Sequence, residues 1–92
     1  MNLYIFLGMC AELMSINYQA ATHTLYLTSD KNSVAEREAQ LQDFKQICQN
    51  LDLTLNEKKI GRGFYSFWIF TVPELNLEVI YDFGCYIEES EE

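Results

Sequence analysis

Apolar residues at Val34, Leu41, Phe44, Cys48 and Leu51 recur seven, three, four and three positions apart, the period of a helix that hides one stripe. Glu36, Gln40 and Asp43 fall on the other side of that wheel and read as solvated. Ser33 stands just before the stripe with Glu36 three positions later, the S-x-x-E pattern that satisfies two orphan amides at a helix start. These signals predict a helix over residues 34–50. Two heptads are too few for a coiled coil.

The flanking segments change period. Leu13 to Tyr18 and Thr24 to Thr28 read as strands of a hairpin around the small, polar QAATH, with Leu25 and Leu27 inward and Tyr26 outward. Leu51, Leu53 and Leu55 alternate with polar residues; Gly61 and Gly63 then mark a turn, supplying positive φ between two strands. Phe64 to Val72 is the most strand-like run, and Pro73 ends it because proline cannot donate to a central ladder. A last strand is predicted from Leu75 to Tyr81, with Leu75, Leu77, Val79 and Tyr81 on one face and Asn76, Glu78, Ile80 and Asp82 on the other. Leu3 to Leu7 is apolar at every position; periodicity does not separate strand from helix over residues 1–12, and a buried strand is the expectation.

Together these elements predict an α+β fold: a four- to six-stranded, mainly antiparallel sheet with one principal helix, about residues 34–50, packed on one face. One domain is expected over residues 1–87, with 88–92 as an acidic end expected to fray. The strand FYSFWIFTV is apolar on both faces: Phe64, Trp68, Phe70 and Val72 on one, Tyr65, Phe67 and Ile69 on the other. A 17-residue helix is about 26 Å long and shields one side of a small sheet only. The second side calls for the N-terminal segment, a second subunit or a partner.

Composition supports a folded chain, with 92 residues, 49% hydrophobic and thirteen aromatics. Fourteen acids against six bases give a net charge of −8, which opposes direct binding to nucleic acid or anionic lipid. The charge is unevenly placed. From Glu74 onward there are seven acids and no base, whereas residues 1–73 hold seven acids and six bases. Cys10, Cys48 and Cys85 are odd in number and widely spaced, which fits a reducing cytoplasm better than a disulfide framework. The apolar start lacks a basic region and meets Glu12 early, unlike a secretory signal, and no run reaches the roughly 18 apolar residues of a membrane span.

Candidate chemistry is sparse. His23 is the one histidine, in a predicted loop, and it is the residue on which a small enzyme or ligand-binding domain would rest. With the three cysteines it makes a Cys3His set by count, but the spacings of 13, 25 and 37 residues lack the close pairs of structural zinc. No metal, cofactor or catalytic residue is therefore expected; the cysteines read as core fillers. Arg62, Gly63 and Phe64 start like the RNA-recognition signature, which then fails at Tyr65 and Ser66. No phosphate-binding loop is present.

The expectation that follows is a small acidic protein-binding domain, not an enzyme. It would inhibit a basic, nucleic-acid-handling protein such as a nuclease by occupying its basic surface, as immunity and phage anti-defence proteins do as classes. Expected contact residues are Glu74, Glu78, Asp82, Glu88 and Glu89, with Trp68 and Tyr81 as an apolar patch. As a nucleic-acid mimic the tail alone is too dilute, with one carboxylate per about 9 Å against one phosphate per about 3.4 Å of a DNA strand. Full mimicry requires Glu36, Glu38 and Asp43 to lie near Glu78 and Asp82. The alternative is a self-associating structural or adaptor domain, possible as a homodimer, using the aromatic strand 64–72.

Overall fold

A computed structural model describes residues 2–62 and 65–84. Gly63, Phe64, Cys85 and the acidic end with Glu88 and Glu89 lie outside the described residues. The chain runs α1 (Leu3–Leu13), β1 (Ser15–Gln19), β2 (Thr24–Thr28), α2 (Val34–Asn50), β3 (Asn56–Arg62), β4 (Tyr65–Val72) and β5 (Leu77–Gly84). The strands form one mixed sheet in the order β1-β2-β5-β4-β3, antiparallel except where β2 runs parallel to β5. The α+β architecture with a principal helix over 34–50 is therefore present, joined by a second, shorter helix.

That shorter helix corrects the expectation of a strand at Leu3–Leu7. The Asn2 side chain accepts from the Tyr4 N–H at 2.7 Å and caps α1, a local signal that the apolar run itself does not carry. Phe6, Leu7 and Cys10 then recur at helical spacing and are buried. In α2 the Ser33 cap forms as expected, with Glu36 N–H donating to Ser33 Oγ at 3.1 Å; the Glu36 carboxylate accepts from the Ser33 hydroxyl at 3.1 Å, so one orphan amide is satisfied where the S-x-x-E pattern predicts two.

Gln40 departs from its expected solvated position. It is buried, its Nε2 donates to the Leu13 carbonyl at 3.0 Å, and Ser29 Oγ donates to its Oε1. A polar residue occupies the stripe here because the end of α1 and the exit of β2 both present polar groups to α2, and buried polar groups require partners.

The alternating leucines after α2 terminate the helix rather than start a strand. Asp52 takes a left-handed conformation at φ 58, its N–H donates to the Gln49 carbonyl, and Leu53 N–H donates to the Cys48 carbonyl at 2.9 Å. This is a Schellman closure, sealed by burial of Leu53. The last strand begins at Leu77, not Leu75, because Pro73–Leu75 forms a 3-10 turn that ends on left-handed Asn76. The β1–β2 link is built alike, with a 3-10 turn at Ala20–Thr22 followed by left-handed His23. Both residues sit at φ near 50, where Asn and His are among the better tolerated side chains.

Both helices lie on one side of the sheet. Phe6 of α1 meets Phe44 of α2 with centroids 6.1 Å apart, and Phe44 meets Phe70 of β4 at 5.3 Å. Leu25, Leu27, Leu77, Val79, Tyr81 and Val72 complete this core from the same sheet face. Among the described residues no helix is long and apolar enough to cross a membrane.

Candidate functional site

The strand alternation that sends Leu77, Val79 and Tyr81 under the helices sends Glu78, Ile80 and Asp82 to the opposite face. Among the described residues no element covers that face. Its composition follows from the pairing register. Tyr26, Ile80 and Ile69 are direct cross-strand partners, as are Asp82 and Phe67, with Ile60 the partner of Phe67 on β3. Neighbouring strands lie about 4.8 Å apart, so the row Tyr26–Ile80–Ile69 is an apolar band about 10 Å wide across the sheet centre. Tyr26, Phe67 and Ile60 keep 42%, 39% and 41% of their surface exposed. Glu78 and Asp82 flank the band along β5, about 13 Å apart.

At the Glu78 end the two hairpin links stand side by side, because β2 and β5 are parallel neighbours and Glu78 N–H donates to the His23 carbonyl at 2.9 Å. They enclose a shallow cleft of about 220 Å³ bordered by Thr22, His23, Thr71, Asn76 and Glu78.

The other expected contact residues go elsewhere. Glu74 is not on the last strand. It lies in the 3-10 turn, where its carboxylate accepts from Thr54 N–H at 2.9 Å and Thr54 Oγ1 at 2.6 Å and ties the β4–β5 link to the chain leaving α2. The Thr54 hydroxyl and amide hold the Glu74 carboxyl below its ordinary value.

Tyr81 is fully buried and presents no surface to a partner. Its hydroxyl donates to the Arg37 carbonyl at 3.1 Å, and burial pushes its phenol above the ordinary value. A buried tyrosine is tolerated where its hydroxyl finds an acceptor. Trp68 is half-buried on the helix side of the sheet, with Lys45 Nζ 5.5 Å and Lys59 Nζ 5.4 Å from its ring centroid. It borders a groove of about 430 Å³ beside α2, on the other side of the sheet from Glu78.

Among the described residues the acids do not merge into one surface. Glu36, Glu38 and Asp43 belong to α2, across the sheet from Glu78 and Asp82. The condition for full imitation of a nucleic acid is therefore not met.

Burial pushes both Cys10 and Cys48 up to about 12, with smaller contributions from the charge of Cys48 and of Glu74 respectively. At neutral pH these two thiols are protonated packing groups. Among the described residues no three His, Cys, Asp or Glu side chains converge as a metal site.

Of the apolar residues on the open face, alternation alone puts Phe67 and Ile69 on the second face of their strand, Ile80 on the outer face of the last strand and Tyr26 outward; Ile60 is the one the sequence does not single out. Only the strand order makes them neighbours. No protein-family model, curated protein or solved structure matches this chain.

Proposed function

We propose that the chain is a small stoichiometric protein-binding domain, not an enzyme, which docks a basic protein on the open face of its sheet. The observation that carries this reading is the uncovered apolar band of Tyr26, Ile80 and Ile69, bracketed by the carboxylates of Glu78 and Asp82. Interfaces concentrate affinity in a central apolar cluster and use the charged rim for orientation and on-rate. A chain of net charge −8 attracts cationic surfaces at a distance, and the band supplies contact once the surfaces meet. A partner that handles nucleic acid fits this charge, with inhibition by occupancy of its basic surface as the consequence. Contact differs from the nucleic-acid imitation considered above, since two carboxylates about 13 Å apart flank an apolar centre. Buried, unpaired Cys10 and Cys48 favour a reducing compartment such as the cytoplasm.

The test compares two baits on cell extract, the wild-type chain and the Glu78→Lys/Ile80→Ser variant, with elution by rising salt. The expected result is a basic protein retained by the wild type, released between low and moderate salt, and absent from the variant. Retention by both baits, or binding indifferent to salt, overturns the reading.

A further inference from the structure

The two edges of the sheet are finished differently. The β3 edge, Asn56–Arg62, carries Glu57, Lys58 and Lys59, and charged edge strands resist pairing with other chains. The β1 edge, Ser15–Gln19, reads Ser-Ile-Asn-Tyr-Gln and has no charge, proline or bulge. Its surroundings are equally bare: of the twenty Asp, Glu, Lys and Arg residues in the chain, Glu12 alone precedes Asp30.

The backbone of this edge has a defined polarity. The His23 carbonyl accepts from Glu78 N–H, so His23, Leu25 and Leu27 turn their backbone groups toward β5, and Thr24, Tyr26 and Thr28 turn theirs toward β1. Their β1 partners Gln19, Asn17 and Ser15 answer them. Ile16 and Tyr18 consequently direct N–H and C=O groups outward, where no described element meets them.

We propose that this edge pairs with the β1 edge of a second copy of the chain, antiparallel about a two-fold axis at Asn17, making one ten-stranded sheet. In that register Ile16 faces Tyr18 of the other copy and the reverse, which satisfies all four outward groups of each chain, while the two Asn17 residues form the non-hydrogen-bonded pair. Ile16 and Tyr18 are half-buried on the core side of β1, so the pairing joins the two cores with an aliphatic–aromatic contact.

A five-residue strand spans only about 17 Å, and α1 supplies further area. Tyr4, Gly8 and Ala11 lie about 140 to 200° around α1 from Phe6, the residue that meets α2, so they point away from α2, and all three are exposed. Tyr4 is 74% exposed, and a Cβ on Gly8 would meet nothing within 4 Å. A second copy is the favoured occupant because every copy carries −8, and this strand itself bears no charge to repel its counterpart. The proposal uses a different surface from the partner-binding face and stands or falls independently of it.

Sedimentation equilibrium of the wild type should give twice the mass of one chain at high micromolar concentration. Tyr18→Pro removes an outward N–H together with the half-buried ring, and Asn17→Lys, at an exposed position, opposes two like charges across the axis; each should shift the mass to that of a monomer. In a Cys85→Ser background, Asn17→Cys should form a disulfide-linked dimer on mild oxidation, because Cα atoms of a non-hydrogen-bonded pair lie about 4.5 Å apart, and Asn56→Cys on the β3 edge should not. A monomeric wild type, a dimer indifferent to Asn17→Lys, or equal crosslinking at Asn56→Cys overturns the proposal.

Discussion

The two faces of the sheet are made from the same strands and have opposite fates. On β4, Phe70 and Val72 are fully buried beneath α1 and α2, while Phe67 and Thr71, facing the other way, are exposed. On β5, Val79 and Tyr81 are buried and Glu78 and Asp82 are exposed. The covered face consumes both helices. Its polar intruders are all answered: Gln40 by Ser29 and the Leu13 carbonyl, Tyr81 by the Arg37 carbonyl. The open face keeps an apolar band with no described cover and acids along one strand. The difference separates groups that hold the fold from groups that are available for recognition.

The largest effect should come from the covered face. Phe70→Ala empties a site packed against Phe44 and should lower the unfolding free energy by about 3 to 5 kcal/mol in chemical denaturation. A loss near zero would mean that the helices do not rest on this face. Next comes Gln40→Leu, close in volume but unable to bond the Leu13 carbonyl or Ser29; leaving those groups buried and unanswered should cost about 1 to 3 kcal/mol.

Glu74 gives a smaller, pH-dependent effect. Thr54 holds its carboxyl below the ordinary value of 4.5, so the stabilisation is fully present above that value and disappears as pH falls through the lowered folded value. Wild type should therefore exceed Glu74→Gln in melting temperature at pH 7, and the gap should close in acid. A gap that persists unchanged to low pH would contradict this. The smallest stability effect is expected on the open face: Ile80→Thr, on a half-covered strand position, should stay within about 0.5 kcal/mol of wild type while abolishing partner capture. Destabilisation comparable to Phe70→Ala would place Ile80 in the core and erase the contrast between faces.

Legibility in the sequence tracks how local each determinant is. The α2 helix was readable because its cap, Ser33 with Glu36, and its stripe lie within one segment. The β2 and β4 strands were readable from alternation and β-branched or aromatic content. By contrast β3, Asn-Glu-Lys-Lys-Ile-Gly-Arg, has no apolar alternation because an edge strand bonded on one side to β4 needs little burial. The α1 helix was misread because an unbroken apolar run carries no period, and Asn2, one residue outside it, decides the matter. Tyr81 and Trp68 were assigned to a surface because aromatic residues anchor interfaces as well as cores; parity along β4 and β5 relative to α2 determines which. The outward positions Glu78, Ile80 and Asp82 were legible, but their union with Tyr26, Ile69 and Phe67 depends on β5 lying between β2 and β4, a non-local fact.

The most direct measurement of the central claim is an NMR titration of the isotopically labelled chain with the salt-released basic partner, following backbone amide shifts. The account predicts that perturbations concentrate on Tyr26, Ile69, Glu78 and Ile80, with α2 and the groove beside Trp68 unmoved. Shifts confined to α2 and Trp68, with the open face silent, would contradict it.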